Sequence, residues 1–232
     1  MKLSVIIPAY NEEKTVRQAI KLVLGAKTGL AKEVIAVNDG STDRTLIEIN
    51  KIKDKRLKII NKKINQGKGA AIREALKMAS GQVIIIQDAD LEYDPNEYRL
   101  LLEPIRKKRA DVVFGSRFVS GRPHRVLYFW HFVGNKMITL MANVLTNLNL
   151  TDVETCYKAF TKEVALNLNL EEDRFGFEPE FTIRIAKMNC RVYEVGVSYS
   201  GRSYEEGKKI GWRDGLLTLW CLIKYATTLQ AK

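Results

Sequence analysis

The 232 residues carry 38 Lys and Arg against 27 Asp and Glu, with 46% hydrophobic and 28% charged positions. That balance excludes a disordered, collagenous or low-complexity chain, and a core of this size buries roughly 70% of the unfolded surface without disulfides or metals to hold it. The net charge of +11 asks for an anionic partner, a class in which nucleic acid, anionic lipid and nucleotide phosphate all qualify.

Cys156, Cys190 and Cys221 are too far apart for a CxxC metal or redox site and odd in number, which predicts free, buried thiols in a reducing compartment. The opening MKLSVIIPAYNEE has too short an apolar run before Pro8 for a signal peptide, so a cytosolic start is expected. No uncharged apolar run reaches the ~18 residues that a membrane span needs.

Apolar, β-branched runs at Leu3–Ile7, Glu33–Val37, Leu57–Ile60 and Val83–Gln87 read as strands. Helical patterns at Glu12–Ala26, Asp43–Lys53 and Lys68–Ser80 lie between them. This alternation through short links predicts an α/β fold, a doubly wound and mostly parallel sheet with helices on both faces and ligand loops at the strands' carboxyl ends. A helix near 96–108 and a strand at Asp111–Gly115 continue it. From Val112 to Thr151 there is no acid, while Arg117, Arg122, Arg125 and Lys136 are basic, and 126–145 reads as one apolar helix or a pair. A strand near Cys156–Phe160, a helix at Pro179–Met188 and a strand at Arg191–Val197 follow. The charged loop GRSYEEGKKIGWRDG then leads to a last helix, LLTLWCLIKYATTL. The expected organisation is one domain over 1–215 with a C-terminal amphipathic helix over 216–232.

Three loops follow strand ends. In the first two, PAYNEE and NDGSTD, Asn11 and Ser41 taken singly need only cap helices, and Gly40 need only turn. Together at one sheet edge they form a candidate ligand site. In the third, Asp88, Asp90 and Glu92 alternate along what reads as an extended chain, which sets them on one face about 6–7 Å apart. Such carboxylates repel unless a cation lies between them, and hard oxygen ligands suit Mg²⁺ or Mn²⁺ bridging a diphosphate. Gly67, Lys68 and Gly69 open the third helix without the P-loop spacing, since position 62 is Lys and position 69 is Gly. A glycine-lined helix N-terminus with a lysine still suits an anion such as a nucleotide phosphate.

In this order and spacing, PAYNEE, NDGSTD, NQGKGAAIREAL, QDADLEYDP and GSRF resemble the family-2 glycosyltransferases of the GT-A fold. DVETCYKAF, FGFEPE and RSYEEGKKIGWRDG resemble their branch of dolichyl-phosphate mannose synthases and polyprenyl-phosphate hexosyltransferases. The likeness runs from Ser4 to about Gly215. It implies a nucleotide-sugar donor, GDP-mannose first, with UDP-glucose or a UDP-N-acetylhexosamine also open. It implies Pro8, Tyr10, Glu12 and Asp39 at base and ribose, Lys68, Asp88 and Ala89 near the donor, and Asp90 as the metal ligand of the DxD pair. Glu92 stands where mannose synthases often have Gln. Asn38 stands where many relatives have Asp, so base recognition is assigned to Asp39.

The resemblance also implies an inverting displacement, in which a metal neutralises the diphosphate leaving group while an acceptor oxygen attacks the opposite face. A hydroxyl acceptor needs a carboxylate base, and Glu178 and Glu180 are candidates, although a helix start favours acids anyway. A polyprenyl or dolichyl phosphate is already anionic and needs cationic clamps instead. Arg117, Arg125, Arg202 and Lys208 are the expected ones, with Arg122 and Lys209 nearby, and Asp90, Arg117 and Arg202 are expected to carry the catalysis.

The last helix sets Leu216, Trp220, Ile223 and Thr227 on one face, which suits core packing or a membrane interface equally, and peripheral attachment to the cytoplasmic leaflet is the expectation. Two rivals fit less well. A sugar-nucleotide pyrophosphorylase would carry a glycine-rich GxGTR-like loop where PAYNEE stands. A nucleic-acid binder rests on charge alone, because the eight basic residues of Lys51–Lys68 have no stacking aromatic among them.

Overall fold

The computed structural model describes residues 1–119, 124–126, 128–203, 205–206 and 212–228. In chain order the elements are β1 (Lys2–Ala9), α1 (Val16–Gly25), β2 (Ala31–Asp39), α2 (Thr45–Asn50), β3 (Leu57–Lys62), α3 (Lys68–Met78) and β4 (Val83–Ile86). A 3₁₀ turn at Pro95–Glu97 precedes α4 (Tyr98–Arg106) and β5 (Val112–Ser116). The rest is α5 (Phe129–Thr146), β6 (Lys158–Thr161), α6 (Lys162–Asn167), α7 (Phe177–Lys187), β7 (Val192–Gly196) and α8 (Trp212–Thr228).

Strands β1, β2 and β4 are apolar without alternation because helices cover both faces of the sheet: Val5, Ile6, Val34, Ile35 and Val83–Ile86 are wholly buried. The strand order is β3-β2-β1-β4-β6-β5-β7. β1 pairs in parallel with β2 on one side and β4 on the other, so the chain winds outward to β3 and then returns across β1. That reversal makes a topological switch point, and the loops after β1, β2 and β4 open into one crevice there. The sheet is doubly wound and mostly parallel as expected. The exception is β6, which runs antiparallel between β4 and β5.

The apolar stretch 126–145 forms one helix rather than two. α5 turns Ile138, Thr139 and Ala142 inward and exposes Phe129, Trp130, Met137, Leu140 and Val144. α8 packs against α5 and α7 and buries Thr218, Cys221, Leu222 and Tyr225. Leu216, Trp220 and Ile223 remain about half exposed, at 58%, 55% and 47%. Core packing therefore explains the opposite face of α8, and the stripe read from the sequence is the outer one. Among the described residues no helix is long and apolar enough to cross a membrane.

Candidate active site

The loops after β1 and β2 are stitched together. Asn11 takes a left-handed backbone (φ 51°) and accepts from Thr42 N at 2.9 Å, while its own N–H donates to Ser41 Oγ at 3.1 Å. Glu12 N donates to Thr45 Oγ1 at 2.8 Å and Glu13 N to Asp43 Oδ2 at 3.1 Å. Asn11 and Ser41 thus cross-link two loops and do not cap α1, whose first turn has no side-chain cap. Tyr10 is about one-third exposed at this edge, and Pro8 lies one residue before the end of β1.

Asp39 is only 2% exposed, and its carboxylate is engaged. It accepts from Gly67 N at 2.6 Å, Gln66 N at 3.2 Å and Asn65 Nδ2 at 3.0 Å, and pairs with Lys62 at 2.5 Å. Neighbouring Asn38 donates to Asn61 Oδ1 at 2.8 Å, yet its own Oδ1 is sealed from solvent with no partner among the described residues. The sequence reading assigns base recognition to Asp39 in preference to Asn38, and the unpaired oxygen draws attention back to Asn38.

Two N–H groups at the amino end of α3 are already taken. Asp39 takes the Gly67 N–H, and Asp173 O takes the Ala70 N–H at 3.0 Å. Gly69 is required for that close approach, because a Cβ there would come within 2.1 Å of the Glu172 carbonyl oxygen. Lys68 reaches into the crevice instead, bridging Asp88 at 3.0 Å and Glu178 at 2.8 Å. Burial alone would depress its ammonium, but these carboxylates raise it well above its ordinary value.

The acidic loop departs from the expected extended face. β4 ends at Ile86, Glu92 N folds back onto Asp90 Oδ1 at 3.2 Å, and Leu91 takes a left-handed backbone (φ 66°) that costs a β-carbon roughly 1–2 kcal/mol. Asp88 is engaged by Lys68, and Asp90 and Glu92 by Arg202, and no three acidic, His or Cys groups among the described residues form a cluster that could hold a metal ion. Asp88 turns to Lys68. Glu92 accepts from Tyr199 OH and Arg202 N, both at 2.9 Å, which makes it an anchor for the 199–202 segment. Burial first, then Asp88 and Glu92, pushes the Asp90 carboxyl up to about 8 against the pull of Arg202. Ala89 is buried beneath the turn.

Arg202 joins three predicted site residues from two loops. Its guanidinium reaches Glu12 at 3.2 Å, Asp90 at 3.1 Å and Glu92 at 3.3 Å. Arg117 is held by Asp152 through Nε and Nη2, each at 2.7 Å, and lies 5.1 Å from the Tyr199 ring centre. Arg125 sits further out, pairing with Glu206 at 2.6 Å and donating to Gly201 O at 3.1 Å. Lys208, Lys209 and Arg122 lie outside the described residues. Of the acids that open α7, Glu178 is paired with Lys68, and Glu180 is bonded by Arg184 at 2.7 Å and by Glu171 N and Glu172 N at 2.8 Å.

The sequence reading misses Asp152, Glu154 and Tyr199. The first two lie inside the DVETCYKAF block, and the signal available for Asp152 is that it is the first acid after the long acid-free stretch.

Residues 4–168 match the family model described as Glycosyl transferase family 2. A dolichol-phosphate mannosyltransferase of Pyrococcus furiosus is 30% identical over 214 residues, covering 91% of this chain and 60% of its own length. The chain thus spans less than two thirds of that relative. An undecaprenyl-phosphate mannosyltransferase of Micrococcus luteus is 29% identical over 225 residues, covering 91% of this chain and 88% of the relative. Among solved structures, glucosyl-3-phosphoglycerate synthase from Mycobacterium tuberculosis in complex with Mn²⁺, UDP and phosphoglyceric acid matches with a TM-score of 0.75 at 19% identity. That match covers 99% of this chain and 80% of the other, a likeness of fold.

Proposed function

Because the chain belongs to glycosyl transferase family 2 and has the GT-A fold, we propose that it transfers a hexose, with inversion, from a nucleoside-diphosphate donor to a polyprenyl phosphate. One observation carries the choice of acceptor. The arginine side of the site runs directly into an exposed apolar helix: Arg125 N bonds Tyr199 O, Lys136 lies 4.7 Å from the Phe118 ring centre, and α5 exposes Phe129 and Trp130 just beyond. A lipid phosphate is the acceptor that uses both features, guanidinium for its head and apolar surface for its chain. The outer faces of α5 and α8 would then rest at a membrane interface. The names of the mannosyltransferase relatives support a mannosyl donor, GDP-mannose first, and the glucosyl enzyme of like fold keeps a UDP-hexose in the test.

Asp88 and Asp90 are the residues that would hold a Mg²⁺ or Mn²⁺ ion. Their hard oxygens suit either ion, and a cation would offset the burial and the repulsion from Asp88 and Glu92 that lift the Asp90 carboxyl. Such an ion, when bound, neutralises a diphosphate leaving group. The chain's own residues do the rest: Arg202 and Arg117 orient the acceptor phosphate, Lys68 holds the Asp88 carboxylate in place through their ion pair, and the Asn38 side-chain oxygen accepts an N–H from the base.

The test is a transfer assay with labelled GDP-mannose, UDP-glucose and UDP-N-acetylglucosamine, polyprenyl phosphate and Mg²⁺ or Mn²⁺, counting label in the organic phase. One donor should label the lipid, and EDTA or Asp90→Ala should cut the rate by about 100-fold or more. Label that reaches only a glycan hydroxyl would overturn the acceptor assignment.

A further inference from the structure

Glu154 lies in the loop between α5 and β6 and has no part in the roles above. Its Oε1 oxygen is sealed from solvent and has no hydrogen-bond partner among the described residues. The charged groups that face it are Glu178, Lys158, Arg117 and Asp152, and each is committed elsewhere. The Lys158 ammonium donates to the carbonyls of Val153 and Thr155 on either side of Glu154. Asp152 grips Arg117, and Lys68 grips Glu178. Buried polar atoms left unpaired are few in folded proteins, and each needs a reason.

The position supplies one. On one flank, Glu178 shares Lys68 with Asp88, next to the place assigned to the diphosphate. On the other flank stands Arg117, assigned to the acceptor phosphate. The roles proposed above put the sugar in transit between these two flanks. A hexose offers hydroxyl hydrogens, and an unpaired carboxylate oxygen accepts them.

We propose that Glu154 reads the transferred sugar, its carboxylate accepting hydrogen bonds from hydroxyls of the hexose. This rests on the hexosyl-donor reading above. A site built to bond a hydroxyl rejects the analogue that lacks it, because the buried acceptor is then left unpaired.

The experiment compares GDP-mannose with its 2-, 3-, 4- and 6-deoxy analogues in the wild type, Glu154→Gln and Glu154→Ala, with GDP as the sugar-free control. In the wild type at least one deoxy donor loses about 10–100-fold in kcat/KM. Both variants should flatten that penalty to within about threefold. Their affinity for GDP should be unchanged, and a thermal melt should confirm that Glu154→Gln is folded. Variants that lose kcat equally with every donor and keep the full deoxy penalty would make Glu154 a base acting on the acceptor, and the proposal would be wrong. Weaker GDP binding in both variants would assign Glu154 a structural role instead. If the wild type transfers nothing, the transferase reading fails, and the affinity of GDP-mannose relative to GDP still decides the role of Glu154: an increment lost in Glu154→Ala supports it, and one retained overturns it.

Discussion

The loops after β1 and β2 hold one another through backbone N–H groups and short polar side chains, whereas the arginines of the 117–206 region are held by carboxylates. On the donor side Asn11, Ser41, Asp43 and Thr45 fix the main chain directly, and Asp39 organises residues 65–67. On the proposed acceptor side the three described arginines assigned to the phosphate are already paired with acids: Arg117 with Asp152, Arg125 with Glu206, and Arg202 with Glu12, Asp90 and Glu92. An incoming anion must compete for those guanidinium groups or use the N–H donors they leave over, of which Arg117 keeps several.

The difference can be broken at chosen points. Asp152→Ala should have the largest effect, since it leaves the Arg117 guanidinium buried and uncompensated, at a cost of about 3–5 kcal/mol in urea unfolding. A loss near zero would mean that the pair behaves as a surface ion pair. Gly69→Ala tests the donor side, where the added Cβ meets the Glu172 carbonyl at 2.1 Å. Overpacking of that kind costs about 1–3 kcal/mol and should weaken nucleoside-diphosphate binding in calorimetry as α3 shifts.

Glu33→Gln should have the smallest effect on transfer and serves as a control, because Glu33 sits near the amino end of β2, away from both regions. Burial alone would raise the Glu33 carboxyl. Hydrogen bonds from Ser4, Lys2 and Ser80, with Lys58, outweigh it and hold the group well below the usual carboxylate range. A group held low contributes stability above its unfolded pKa and loses it as pH falls. Thermal melts should therefore separate Glu33→Gln from the wild type at pH 7, converge toward strong acid, and leave transfer at pH 7 unchanged.

Continuous apolar runs can be read as buried parallel strands because four or five β-branched residues between short polar links are too few for a buried helix. The loop motifs after β1, β2 and β4 can likewise be placed at one edge, because parallel strands leave their carboxyl ends on the same side. Two local readings are modified by distant groups. Asp88–Glu92 has the spacing of an extended chain, but the Asp90 carboxylate and the Tyr199 and Arg202 donors fold it into a turn. The amino end of α3 has the composition of an anion site, and Asp39 and Asp173 take two of its N–H donors, those of Gly67 and Ala70.

By itself the sequence determined the alternating α/β order, the strands that carry the core and the edge at which the polar loops gather, since each follows from short-range periodicity and chain direction. Only the tertiary structure decided which charges meet. Arg202 joins Asp90 across 112 residues and Glu12 across 190, and contacts at that separation carry no periodic signal. The outer face of α8, the antiparallel insertion of β6 and the unpaired oxygen of Glu154 were decided in the same way. Each depends on what packs alongside, and a buried polar group is satisfied or orphaned only once its neighbours have arrived.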